Sequence, residues 1–346
     1  MNRMKLILAI LMMSVTTNVA MAEPKAAPKP AAKVDLKPGP AFFIAGDNGF
    51  SRAALFNREG VLLWQYKASN VYDVALLPNG NVLFTQRGGV TEVTPAKKVV
   101  FEYKTRSEVF ACQRLANGNT MIAECTAARL IEVDPKGKIV KEIKTQSKNK
   151  GHTHMRCARK TAAGTYIVAH LGEKAVKEYD ADGKIIKVFK TLWKVYEAHR
   201  RANGNTVASG EKGAMEFDAD GKVLWSMTSA DFGTVNMKWI AGLSVGDDGR
   251  IVLANWLGHH QEYKGDPIVM LSKDHKVIWS YADKARQTNK VSGVRHYDAL
   301  PKAMAEQIAK QGGKDTTPPI KAPMPKPKKK KPAKGKTPKA PVAEKH

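Results

Sequence analysis

Apolar and polar positions alternate along most of this chain in short runs, separated by turns built on glycine. A period of two over a handful of residues is the mark of strands with one covered face. The plainest unit is Val71–Tyr103: an apolar strand, an Asn-Gly turn, a second strand, a short third strand, another turn and an amphipathic fourth strand. The fourth-strand piece recurs in the same frame at Leu55–Tyr66, Glu92–Tyr103, Glu132–Ile143, Glu178–Phe189, Glu216–Met227 and Met270–Tyr281. Six copies at a spacing of roughly forty residues predict a repeat architecture, and four short strands fill such a step.

Turn chemistry supports the same division. Asn79-Gly80, Asn117-Gly118 and Asn203-Gly204 sit between strand-like runs, with Ala163-Gly164 and Asp248-Gly249 in the same slot. These pairs predict two-residue hairpin turns with positive φ. The first copy offers only three strands (Ala41–Gly46, Ser51–Phe56, Val61–Tyr66), while Val291–Leu300 near the other end resembles the inner strand Val71–Leu76. The economical expectation is an all-β, six-bladed β-propeller over residues 41–300, closed by a C-terminal inner strand at Val294–Leu300. Trp256–Pro267 reads as an inserted loop, and residues 301–313 as a short helix ended by glycines.

Composition adds a partner and an address. The chain has 346 residues, with Lys+Arg 57 against Asp+Glu 32 and a net charge of +25. Much of the excess lies in the Lys/Pro/Ala-rich tail 314–346; residues 23–40 are similar in kind, and both segments are expected to be disordered. The tail suits an anionic envelope surface, and no nucleic-acid-reading module is visible. Residues 1–22 read as a signal peptide: Arg3 and Lys5, an apolar run Leu6–Val15, then Ala20-Met21-Ala22. A periplasmic or secreted protein is expected, with no transmembrane segment after cleavage. The cysteines Cys112, Cys125 and Cys157 have no CxxC spacing and are expected as small buried residues without a disulfide.

Aligning the inner strands on Leu76, Arg114, Arg159, Arg200 and Asp298 gives two alternating columns. One is largely apolar (Tyr72/Val74, Phe110/Cys112, Met155/Cys157, Tyr196/Ala198, Tyr297/Ala299) and is expected to pack between blades. The other carries Asp73, Gln113, His154, Arg156, Glu197, His199, His296 and Asp298, with Trp239 and Arg295 as sequence neighbours. Three roles are open to it: a paired structural network, a mouth that binds a small molecule, polysaccharide or protein, or catalysis. His152, His154, His259 and His260 give only weak metal spacing, and neither a metal nor another cofactor is assigned.

The pattern Asp-x-x-Gly-Lys-x-x-Trp at Asp218–Trp225, echoed at Asn57–Trp64 and Ser272–Trp279, resembles the repeats of PQQ-like bacterial propellers. Asp73–Asn81 resembles the inner strand of periplasmic aryl-sulfate sulfotransferases, which are six-bladed. The PQQ dehydrogenases have eight blades and a vicinal cysteine pair; this chain departs from both, so PQQ is not expected. The sulfotransferase likeness implies channel histidines and an arginine, for which His154, Arg156, His199 and His296 are the available positions.

Overall fold

A computed structural model describes residues 39–258 and 263–317. The expected signal peptide, residues 23–38 of the linker, His259, His260 and residues 318–346 of the tail lie outside the described residues.

Among the described residues twenty-four strands form six four-stranded antiparallel sheets, each made of consecutive strands except the first. That sheet, blade 1, runs Val291–Tyr297, Phe42–Asp47, Arg52–Asn57, Leu62–Lys67 from inside to outside. Its inner strand pairs with Phe42–Asp47 in the register Phe42↔Tyr297 and Ala45↔Val294, three residues earlier than the sequence pattern suggested. The inner strands of blades 2 to 6 are Val74–Leu76, Val109–Arg114, Cys157–Lys160, Val195–Arg200 and Trp239–Val245. Every inner strand runs the same way along the axis. One face, termed upper, therefore collects the inter-blade connections and the turns between second and third strands. The lower face collects the remaining hairpins.

The apolar core is divided into six clusters, one at each seam between neighbouring blades. Between blades 1 and 2 the cluster holds Trp64, Phe84 and Val93; between blades 1 and 6 it holds Phe43, Phe56 and Met270. Side chains from facing sheets interdigitate at each seam, so no single blade has a core of its own.

Turn geometry differs from expectation. In the hairpins after inner strands only the glycine has positive φ, as at Gly80 (+87°), and Asn79 does not; two outer hairpins put Lys97 and His275 there instead. The amide of Gly80 donates to Leu77 O and that of Leu77 to Asn81 O, which makes a three-residue loop with glycine closing a bulge. Asn79 serves instead through its side chain, which accepts the Asn81 amide at 3.0 Å. The outer hairpins use the same plan. Asp134, Asp180 and Asp218 each accept two amides of their own turn at 2.9 Å.

The seams carry a repeated polar clamp. Glu92, Glu132, Glu178 and Glu216 occupy one position of the third strand in blades 2 to 5. Three are met from the next blade by a cation: Arg114 pairs with Glu92, Lys160 with Glu132 at 2.6 Å and Arg200 with Glu178; Glu216 is met by Arg201 of its own blade at 3.4 Å and by His275 of blade 6 at 3.7 Å. Blades 1 and 6 have Leu55 and Met270 at this position, and both are fully buried.

After the inner strand of blade 1 comes a helix, Lys302–Lys310, whose Met304 and Ile308 pack into the cluster between blades 1 and 2. Gly312 and Gly313, both at positive φ, turn the chain away. Asp315 then reaches the outer edge of blade 1: its amide donates to Leu62 O, and its carboxylate accepts from Gln65 N and Lys97 Nζ, all at 3.0 Å. That edge is thereby covered, as exposed strand edges commonly are.

Candidate functional site

All six blades contribute one group to a network on the axis. Arg159 of blade 4 grips Asp73 of blade 2 with both nitrogens (2.7 and 2.9 Å) and also reaches Glu197 of blade 5 at 2.8 Å. Arg295 of blade 1 donates to the same two carboxylates at 2.8 and 3.0 Å. The Cys112 amide of blade 3 donates to Asp73 at 3.0 Å, and the Leu243 amide of blade 6 to Glu197 at 2.7 Å. Two guanidinium groups balance two carboxylates, and both carboxylates are buried. Burial pushes the Glu197 carboxyl up, but Arg295, His199 and Arg159 outweigh it and hold it well below the usual carboxylate range. Burial likewise works against the Arg159 charge, and Asp73 and Glu197 restore it.

This network spans the axis, so the two mouths are separate surfaces. It also sorts the predicted residues. Asp73, Glu197 and Arg295 belong to the network, with Arg159 as the member that the sequence columns missed. His199 stands just below it, Nε2 at 2.8 Å from Glu197. Burial takes the His199 pKa down to about 4 despite that carboxylate. His296 is near the lower mouth, its Nδ1 at 2.9 Å from Ser244 Oγ, and burial beside Arg250 lowers its pKa too. Asp298, expected on the inner strand, follows it instead; it is exposed and pairs with Arg250 at 2.5 Å.

His154 is not in the channel. A short 3-10 turn, Gly151–Thr153, precedes the inner strand of blade 4, so strand alternation does not extend back to residue 154. The ring is buried with Nε2 at 2.7 Å from Thr145 Oγ1 and Nδ1 at 3.0 Å from Asn149 O. His152 is exposed on the same turn. Among the described residues no group of three or more His, Cys, Asp or Glu is arranged to hold a metal.

The upper mouth gathers aromatic side chains around one cation. The Cζ of Arg156 lies 4.0 Å from the centre of the Phe110 ring, 5.3 Å from that of Tyr196 and 5.6 Å from that of Tyr72. Its Nη1 is 2.7 Å from Nε2 of His152, whose Nδ1 is 3.1 Å from Glu108. Arg156 itself makes no ion pair with a carboxylate among the described residues. Burial lowers its pKa, against the opposing pull of Tyr196, Tyr72 and Glu108. Trp239, the first residue of the blade 6 inner strand, stacks on Trp256 with ring centres 4.7 Å apart.

Backbone bulges place these rings. Val109 and Ala111 pair with successive residues of the next strand, which leaves Phe110 as the extra residue; Val195 and Glu197 leave Tyr196 in the same position. A bulge re-aims its side chain: Tyr196 is half-buried at the mouth, while Phe110 stays buried in the seam cluster between blades 3 and 4, as the apolar column implies, and turns its ring face to Arg156. Cys112 and Cys157 are buried and unbridged, and burial pushes the Cys157 thiol up to about 12.

No family model matches the chain, and no curated protein matches it. Solved structures do. A protein of unknown function from Bacteroides caccae aligns at 20% identity with a TM-score of 0.68, over 75% of this chain and 100% of that one. The virginiamycin B lyase of Staphylococcus aureus aligns at 14% identity and TM-score 0.51, covering 72% of this chain and 84% of its own. A streptogramin B lyase aligns at 12% identity and TM-score 0.52, with coverages of 76% and 89%. At these identities the likeness is one of fold, and the six-bladed propeller is what they share with this chain.

Proposed function

We propose that this chain is an exported binding scaffold whose upper channel mouth takes an anionic, ring-bearing ligand of the acidic-sugar class. The observation that carries the reading is the contrast between the two sets of arginines. Arg159 and Arg295 have their charge matched by Asp73 and Glu197, whereas Arg156 is held among ring faces with no carboxylate of its own. A cation with spare donors beside Phe110, Tyr196 and Tyr72 offers both charge and a stacking surface. Replacing Arg156 by Gln is expected to weaken a uronate disaccharide about 10- to 100-fold, the worth of one charge-assisted hydrogen bond. Titration calorimetry measures it, and an unchanged affinity would remove the mouth from consideration.

Binding is favoured over group transfer because the four residues that a channel-histidine transferase would use are dispersed. Arg156 is at the upper mouth, His199 and His296 lie on the other side of the axial network, and His154 is outside the channel. The export step rests on the N-terminal sequence, and the Lys-rich segment after residue 317 would hold the domain to an anionic envelope surface. Cells making the chain without residues 318–346 should release it at lower salt than cells making the whole protein. Equal retention would set the tether aside.

A further inference from the structure

Charge is distributed unequally between the two faces of the ring. Five of the six inter-blade connections on the upper face carry at least one exposed cationic residue, in order Arg106, Lys148, Lys194, Lys238 and Arg286, and the first is entered from exposed Lys67 at the end of the strand Leu62–Lys67. The carboxylates of these connections are engaged locally. Asp231 accepts the amide and hydroxyl of Thr228 at 2.7 and 2.9 Å, and Asp283 accepts the amides of Gln287 and Thr288, both at 2.7 Å. Glu108 is the partner of His152. On the lower face the turns alternate sign instead, as in Asp134–Lys138, Asp180–Lys184 and Asp218–Lys222.

The basic face is also continuous with the mouth. A cleft of about 400 Å³ runs between blades 2 and 3, lined by Tyr72 and Glu108 at its inner end and by Arg87, Thr105 and Arg106 farther out. Neighbouring strands are about 4.8 Å apart, so the turn between the second and third strands of blade 2 that carries Arg87 stands roughly 7 Å out from its inner strand, and Arg106 lies on the connection that returns from the outer edge, about 14 Å out. The screening length is about 8 Å at physiological salt, so a small anion seated at Arg156, on blade 4, gains less from these two residues than a polymer laid along the cleft does. A chain of repeated anionic units would engage both.

We infer that the upper face is the binding surface for an extended acidic polysaccharide, seated by one sugar at the Arg156 mouth and led outward through the Arg87–Arg106 cleft. This rests on the mouth reading above and extends it from a subsite to a polymer. Sugar ring faces match the Tyr and Trp platforms, and the expected export of the chain brings it to where such polymers are.

The test uses the full chain, so that the Lys-rich tail contributes equally to every variant. Binding of a polyuronate of about twenty units and of its disaccharide is measured by titration calorimetry across a salt series. Arg87→Glu with Arg106→Glu is expected to weaken the polymer by about tenfold or more and to reduce the salt dependence by about two ions, leaving the disaccharide unchanged. Arg156→Gln should weaken both ligands. A lower-face control, Lys136→Glu with Lys222→Glu, should leave the polymer affinity as it was. If the disaccharide does not bind while the polymer still responds to Arg87 and Arg106, the mouth reading fails and the face stands. Three results would overturn the face: no response to Arg87→Glu with Arg106→Glu, an equal loss in the lower-face control, or tighter binding of single-stranded DNA of the same charge.

Discussion

Replacing Glu197 by Ala is expected to lower the free energy of unfolding by about 3–5 kcal/mol, the usual cost of removing one partner from a buried ion pair. Several groups lose their acceptor at once. Arg159 and Arg295 are left to share Asp73, His199 loses its carboxylate, and the buried amide of Leu243 has none. Urea unfolding followed by circular dichroism measures the change. Glu197→Gln keeps the shape and part of the hydrogen bonding and should fall between wild type and Ala. A loss under about 1 kcal/mol for Ala would mean that water already screens the axial charges as it does surface pairs. The same network explains why the channel has two unrelated ends.

Acid should destabilise the protein over a defined window. His170 is buried with its ring nitrogens at 2.7 Å from His154 O and 2.8 Å from Tyr179 Oη, and burial takes its pKa down to about 4. His199 is lowered to about 4 by the same cause. In the unfolded chain each binds its proton near pH 6.5, so between that pH and 4 the unfolded state holds more protons than the folded one. The stability these two histidines contribute is therefore complete above about pH 6.5 and is lost as the pH falls toward 4, by about 3 kcal/mol for each, while Asp47, whose carboxyl burial raises to about 7, offsets part of that loss over the same window. His170→Gln should make the melting temperature fall less steeply than in the wild type from pH 7 to 4. An identical slope in the variant would assign the acid sensitivity to other groups.

The fold was legible because the blades repeat the same solution: period-two strands, a glycine in most lower hairpins and a shared fourth-strand motif. The candidate site was less so, and the reason is a single-residue offset. Measured back from the turn glycine, the clamp position is Leu76, Arg114, Arg200 and, in blade 4, Lys160; the inner-strand columns had used Arg159 there. Side chains alternate, so a shift by one exchanges the two faces of a strand. Counting from Gly164 would have put Arg159 on the axis and Arg156 in the column of Tyr72, Phe110 and Tyr196. Blade 1 has no hairpin glycine to count from, and Asp298 was taken for the position held by Tyr297. The bulges at Phe110 and Tyr196 left no mark in the pattern, because an extra residue in one strand is seen only against its partner.

The pairing that completes blade 1 sets an order of events for the molecule's synthesis. Asn48 meets Ser292 across 244 residues of chain at 2.6 Å, and joining ends that far apart carries a loop-closure term of about 5 kcal/mol. Blades 2 to 6 are each continuous in sequence and can assemble as they emerge. Blade 1 cannot, and until residue 297 has been made the strand Phe42–Asp47 has an unpaired inner edge. A truncated product therefore carries a sticky edge that the finished protein never shows, and the nascent chain stays open until its last strand arrives.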